Sequence, residues 1–410
     1  MPGYYSPTAP KRKQSHRGVA ALCLLTASVI VGGYSYVAAY RQLPSLQPTA
    51  DVLQLHTPAG GSRLTWPSGS QAAVSIVDSK ILETHGKQQS VPIASAAKVI
   101  TALVVLDKKP LKLGENGPTI TLTDKDVALY NAYLAVQGSI VPVLAGETIT
   151  ESQMIEALML PSANNLADSL AIWAFGSLPG YTAAANKYVA SLGLKDTHIG
   201  SDASGFSPST ISTAHDLVIL GNHAMQIPAL RAIVAQSSTT NIPLAGHVDN
   251  VNYLLGTHNI IGLKTGNTEQ AGGVYLSAST STLADKPTTV VTAVVGAPTL
   301  YAALQTSLPL IDSAQANFAP ARVIAQSAVV GEYDLPWGGV LTAAAKTDLT
   351  SHVWGGSRAS ATVTLKPIDM DAVAGQVVGT ATDSTGNHTD VILQHAPSPP
   401  SIWWRLQHPF

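Results

Sequence analysis

The stretch Pro92-Ile93-Ala94-Ser95-Ala96-Ala97-Lys98-Val99-Ile100-Thr101-Ala102 constrains this chain more than any other. It sets a serine at the foot of an apolar run that reads as a helix, with a lysine three residues on. Residues three apart share a helix face, so the Ser95 hydroxyl and the Lys98 amine point the same way. A serine hydroxyl becomes nucleophilic when a neighbouring base takes its proton, and a lysine serves once its amine is neutral. Burial in an apolar wall disfavours the ammonium form and moves the amine toward working range. Near a helix start, unpaired backbone N–H groups also face developing negative charge. The pattern is short, and a capping serine beside a solvated lysine gives the same letters.

The 410 residues suffice for two or three domains with a sizeable core. Only 12% are charged and the formal net charge is −2, which leaves no electrostatic footprint for nucleic acid. Cys23 is the only cysteine, so an intrachain disulfide is excluded, and it has no metal-ligand spacing around it. Ala20-Ala21-Leu22 before it does not resemble a lipidation signal. No metal or cofactor is expected.

Residues 1–50 contain no Asp or Glu. Lys11, Arg12, Lys13 and Arg17 precede a charge-free run from Gly18 to Tyr40, long enough to cross a bilayer as a helix. The cationic flank belongs on the cytoplasmic side, which places the remainder outside. The run is long for the apolar part of a signal peptide, which favours an uncleaved anchor. Val37-Ala38-Ala39 is nevertheless a tolerable cleavage site, and secretion after cleavage is the alternative.

From Leu43 to about Ser70 the chain is rich in Pro, Gly, Ser and Thr and reads as a spacer. Two antiparallel strands follow within Gln71–Val91, turning near Asp78-Ser79-Lys80. Helices are expected from Ser95 to about Asp107, over Glu151–Leu160, Ala167–Phe175 and Tyr181–Leu192, and after a Ser212-Thr213 cap over His215–Met225. Strands are expected over Ile260–Thr265, Gly273–Ser279 and Thr288–Val295, closed by a helix from Leu300 to Ala316. Strands from both ends of this region suggest one sheet in an α/β domain with a helical insert. Short alternating strands within Leu341–Leu365 and Val373–Leu393 suggest a small all-β module. The tail carries Ile402-Trp403-Trp404-Arg405, suited to a membrane interface or to packing on that module.

Two further motifs turn the serine helix into an argument. Ser162-Ala163-Asn164 falls between two expected helices, and Lys264-Thr265-Gly266 ends the apolar strand Ile260-Ile261-Gly262-Leu263. S-x-x-K, S-x-N and K-T-G, in this order and context, are the set of penicillin-binding proteins and class A β-lactamases. Residues from about Gln71 to Gln315 resemble the D-alanyl-D-alanine carboxypeptidases, the low-molecular-weight penicillin-binding proteins. The likeness extends to Leu160-Pro161-Ser162-Ala163-Asn164-Asn165, Gly193-Leu194-Lys195-Asp196-Thr197-His198, and Gly262 to Thr268 followed by Ala271-Gly272. The β-module is similar to the family's C-terminal β-domain, more loosely.

The resemblance implies a penicillin-binding/β-lactamase-like transpeptidase fold of α/β (α+β) class. Its antiparallel sheet would be flanked by helices with a helical subdomain, next to a small C-terminal all-β domain and an N-terminal transmembrane helix. The expected organisation is a basic N-terminus over 1–17, an anchor or signal over 18–40 and a linker over 41–70. A serine DD-peptidase domain over 71–325, a β-domain over 326–397 and a tail over 398–410 follow.

The implied substrate is a peptidoglycan stem peptide, with β-lactams as acylating inhibitors. Ser95 would be the nucleophile, Lys98 the general base and Ser162 a proton relay. Asn164 would hold the peptide amide and Lys98 together. Lys264 and Thr265 would bind the terminal carboxylate, and Gly266 would keep the strand open to substrate. The resemblance puts the oxyanion hole at the N–H groups of Ser95 and Asn267.

No Glu lies between Glu156 and Glu269, where class A β-lactamases carry the glutamate that activates their deacylating water. Two departures from the family stand out. Ser204-Gly205-Phe206-Ser207 replaces its usual "H-G-L-D", and Lys286 is the only basic residue between Lys264 and Arg322.

A Ser-His-Asp hydrolase is the first rival, but no G-x-S-x-G elbow is present. His198, His215, Asp78, Asp202 and Asp216 read as turn, surface or cap residues. A metal peptidase lacks its H-E-x-x-H. An endopeptidase of the same fold and a catalytically silent, membrane-tethered wall-binding protein are the remaining alternatives.

Overall fold

The structure is a computed structural model and describes residues 16–49, 52–58, 61–283 and 286–408. Lys11, Arg12 and Lys13 of the expected basic N-terminus lie outside the described residues. Two compact units divide the chain: Pro58–Ala321 with His352–Arg358, and Met1–Thr57 with Arg322–Ser351 and Ala359–Phe410.

The larger unit is built on a five-stranded sheet. Its strands are β1 (Gln71–Ile76), β2 (Leu82–His85), β3 (Ile260–Thr268), β4 (Gly272–Leu283) and β5 (Lys286–Ala297), in the order β3-β4-β5-β1-β2. All neighbours are antiparallel, with Val294 opposite Ala72 and Thr265 opposite Tyr275. The hairpin β1–β2 from the start of the domain thus joins the three late strands in one sheet.

Both faces of this sheet are covered, as the uninterrupted burial of β1 requires. Ala72, Val74, Ile76, Val290 and Val294 pack toward Leu304, Leu310 and Ile311 of the closing helix Leu300–Gln315. Their neighbours Ala73, Val291, Ala293 and Val295 enter the opposite core, shared with the helical insert. That division follows from side chains alternating across a strand. Helix Ala214–Gln226 lies on this second face, and Gly221 lets it close in: a Cβ there would stand 2.6 Å from Val291 Cγ1.

The helix Ala97–Lys108 runs through the centre of the domain, with every residue from Ala97 to Leu106 buried. A helix apolar on all sides belongs in a core. Ser95 itself sits in a 3-10 turn, Ala94–Ala96, just before it, so the expected helix starts two residues late. Helix Asn164–Phe175 starts earlier than expected, and helix Asp124–Ala135 is additional to the expected set. The second is fixed by a capping box in which the Thr123 and Asp126 side chains exchange hydrogen bonds with each other's backbone N–H.

The smaller unit holds a six-stranded sheet made of Val52–Pro58, Val329–Asp334, Val340–Ala345, Arg358–Leu365, Val377–Asp383 and His388–Leu393. The segment after Tyr40, expected to be a spacer, is partly knit into it: Leu46 is buried and pairs with Ile368, and Pro48 bridges to Tyr333.

Residues Arg17–Tyr40 form a helix long and apolar enough to cross a membrane. The bent pair Ala214–Gln226 and Pro228–Val234 also passes by composition, but its Leu217, Val218, Leu230 and Val234 are core residues. The tail helix Ile402–Gln407 docks on the end of the N-terminal helix. Arg405 donates to the carbonyls of Ala39 and Arg41 at 3.1 Å each, and the Tyr34 hydroxyl donates to the Leu406 carbonyl. Trp404 packs edge-on against Trp337 of the β-module, while Trp403 stays exposed.

Candidate active site

Three segments distant in sequence meet at the start of the central helix. Lys98 Nζ lies 2.9 Å from Ser95 Oγ, as the spacing on one helical face requires. The same nitrogen donates to Asn164 Oδ1 at 2.7 Å and to the Ser204 carbonyl at 3.0 Å. Asn164 occupies the first turn of its helix, where its N–H donates to the Ser139 carbonyl. Ser162, two residues before it, is buried with its backbone in the left-handed region at φ 65°. That conformation is uncommon for a residue with a side chain and recurs at functional sites.

Strand β3 closes the site from the other side. A Cβ on Gly266 would lie 2.8 Å from the Ile93 carbonyl oxygen and 3.1 Å from the Ala96 nitrogen, so the strand backbone lies directly against the serine turn. Lys264, two residues earlier, projects to the same face. Lys98 and Lys264 are both fully enclosed, whereas Ser95 is half-buried and Asn267 exposed. Among the described residues, Thr265 and Asn267 make no side-chain hydrogen bond to Ser95 or Lys98. The Lys264 amine is held by the Thr265 carbonyl at 3.1 Å.

Burial of both amines has a direct electrostatic result. Removal from water, and then the charge of Lys264, lowers the Lys98 pKa well below that of an ordinary lysine, while Asp202 and Asp168 oppose the shift. Burial alone brings Lys264 down to about 7. Lys98 is thus suited to be neutral and Lys264 to carry charge near neutral pH.

Asp202 falls in a turn as expected, whereas Asp168 and Tyr133 are additional to the expected site. Asp202 organises a tight turn, accepting from the N–H groups of Ser204, Phe206 and Ser207 and from the Ser204 hydroxyl. Gly205 completes it at φ 73°, where a Cβ would fall 2.1 Å from the Ala94 carbonyl oxygen. The D-x-S-G spelling is the sequence signal for that turn. Asp168 and Tyr133, behind Lys98, carry no motif; an acid inside an apolar helix is their only trace. The His198 backbone pairs with Ile211 and the His215 ring lies 2.8 Å from the Asp216 carboxylate; among the described residues neither ring bonds Ser95.

The sequence profile described as D-alanyl-D-alanine carboxypeptidase matches residues 61–299, more than half of the chain. The chain belongs to the D-alanyl-D-alanine carboxypeptidase family. It is 33% identical to a D-alanyl-D-alanine carboxypeptidase of Mycobacterium tuberculosis over 201 residues, covering 47% of this chain and 65% of the relative. It is 32% identical to a D-alanyl-D-alanine endopeptidase of Pseudomonas aeruginosa over 225 residues, covering 52% and 67%. The chain therefore spans about two thirds of the length of these relatives. Among solved structures it is similar to penicillin-binding protein 5 of Haemophilus influenzae, with TM-score 0.57 and 21% identity over 82% of this chain and 99% of that one. The Streptomyces K15 DD-transpeptidase gives TM-score 0.53 and 21% identity over 62% and 98%. At these identities the two structures speak for the fold of the family.

Proposed function

We propose that this chain is a serine-type D-Ala-D-Ala carboxypeptidase that acts on peptidoglycan stem peptides through an acyl-enzyme on Ser95. The observation that carries this reading is the set of neighbours around the Lys98 amine. A neutral amine has two N–H donors and one lone pair. Asn164 Oδ1 and the Ser204 carbonyl can only accept, so they take the two N–H groups. The lone pair is left facing the Ser95 oxygen 2.9 Å away, so that with a neutral amine the hydroxyl becomes the donor. That is the arrangement a general base needs.

In this reading Ser95 Oγ attacks the carbonyl between the two terminal D-alanines while Lys98 takes its proton. Charge develops on the carbonyl oxygen, faced by the N–H groups of Ser95 and Asn267. Losing one such donor costs on the order of 3 kcal/mol of barrier stabilisation. The proton passes through Ser162 to the leaving nitrogen, and D-alanine departs. Asn164 orients the peptide amide as well as Lys98. Lys264 and Thr265 receive the terminal carboxylate, and Gly266 lets the substrate backbone lie along β3. Water then opens the ester. A β-lactam enters the same route, but its acyl-enzyme persists because no glutamate stands between the second and third motifs.

The apolar helix is the membrane anchor in this proposal, with the N-terminus cytoplasmic and the enzyme outside. The endopeptidase name of one relative supports a second reading, in which the scissile bond lies in a cross-link. Incubation with a pentapeptide stem and with a cross-linked dimer separates the two. Free D-alanine is the expected main product, and cleavage confined to the dimer would overturn the first reading.

A further inference from the structure

Behind Lys98 lies a buried acid that the reaction above does not use. Asp168 stands one turn after Asn164 on the same helix, so both reach toward the same region. Its Oδ2 accepts from the Tyr133 hydroxyl at 2.7 Å, and its Oδ1 accepts from the Ala203 N–H at 2.8 Å. The next residue is Ser204, whose carbonyl takes one N–H of the Lys98 amine. Thr101 holds the other side of the same segment by donating to the Ala203 carbonyl at 2.6 Å. The Ser204 hydroxyl, bound to Asp202, lies 3.3 Å from the Tyr133 oxygen. Asp168 and Asp202 are both buried, as is Tyr133. An enclosed carboxyl is costly, and an alanine or leucine would fill an apolar helix more cheaply.

We propose that Asp168 is a positioning residue for the general base: it fixes the Ala203–Ser204 peptide, so that the Ser204 carbonyl engages one Lys98 N–H and the lone pair stays aimed at Ser95. The inference rests on the acyl-enzyme reading and deepens it. Asn164 supplies one of the two acceptors directly, and Asp168 supplies the other at one remove. Without the Ala203 anchor, the Ser204 carbonyl drifts and the amine rotates out of line. Misplacement by about an ångström costs up to about a hundredfold in rate.

The groups facing Asp168 are Tyr133 from its helix, Lys98 from the central helix, Asp202 from the turn and Tyr181 from the helix Leu178–Ser191. Burial, only partly offset by the bonds from Tyr133 and Ala203 and by Lys98, brings Asp168 up to about 6. Its negative charge in turn favours the Lys98 ammonium. Asp168→Asn keeps an acceptor for the Ala203 N–H and removes that charge; Asp168→Ala removes both.

The test measures the rate and pH dependence of acylation by a fluorescent penicillin in the purified full-length protein, with near-UV circular dichroism for the fold. Asp168→Ala is expected to slow acylation about tenfold to a hundredfold. Asp168→Asn is expected to restore most of the rate and to move the acidic limb of the profile to lower pH. An Asp168→Ala rate equal to the native one would overturn the inference, as would equal losses in both variants. Should Asp168→Ala not fold, Asp168→Leu, which fills the space without an acceptor for the Ala203 N–H, takes its place, and a native acylation rate in that variant rejects the proposal. Native protein that takes no label, or Ser95→Ala that does, would instead sink the acyl-enzyme reading itself.

Discussion

Gly266 and Ile93 approach so closely that a single added methyl group would sit 2.8 Å from the Ile93 carbonyl oxygen. Backbone lies on both sides of that contact, so no side chain can rotate away. Gly266→Ala is therefore expected to push β3 off the serine turn. Overpacking of this kind costs about 1–3 kcal/mol, which the domain survives, while acylation falls by about a hundredfold. Thermal unfolding and penicillin labelling, measured together, check this. Labelling at the native rate would show that the strand and the turn do not act as one site.

Burying Lys264 costs stability. Its pKa is about 7 in the folded chain against 10.5 for the free side chain. The unfolded chain thus holds more protons across that interval, and stability rises with pH between the two values. At pH 7 the buried amine is a net cost. Lys264→Met fills the same space without it. The variant is expected to melt several degrees higher at neutral pH, to lose that advantage toward pH ~10, and to lose carboxypeptidase activity. A lower melting point at pH 7 would contradict this.

The two lysines also set the pH profile. The proposed reaction needs Lys98 neutral and Lys264 charged, so kcat/KM is expected to be bell-shaped, with its alkaline limb near the 7 of Lys264. A bound carboxylate favours the Lys264 ammonium. The alkaline limb of kcat should then lie at higher pH than that of kcat/KM. A flat profile over about pH 5 to 9 would reject this division of roles.

Much of this site is legible in the sequence because its parts are local. Ser95 and Lys98 share a face through spacing alone, and Lys264 and Gly266 share one through strand alternation. The sheet was legible for a similar reason: β5 is dense in β-branched residues, and β1–β2 is a hairpin. Helix Asp124–Ala135 was not, because only Tyr133 on it is buried and no apolar stripe marks it. Asp168 and Tyr133 meet Ala203 and Ser204 through tertiary contacts that no spacing rule encodes. The segment around Leu46 likewise has the composition of a linker, yet Leu46 pairs with Ile368, more than three hundred residues later.

β-Lactams should inhibit this protein more than they are consumed by it. With no glutamate between Glu156 and Glu269, the chain lacks the group that activates a deacylating water in class A β-lactamases. A single burst of hydrolysis of a chromogenic cephalosporin, equal to the enzyme present, is expected, followed by slow turnover. Rapid multiple turnover would require another base near the ester.

In the proposed reaction Ser95, activated by Lys98, forms an acyl-enzyme. Intact-mass analysis after benzylpenicillin treatment tests it most directly. One covalent adduct of the drug's mass is expected on the native chain, none on Ser95→Ala, and a greatly slowed adduct on Lys98→Ala. An adduct that survives Ser95→Ala, or none on the native chain, would contradict it.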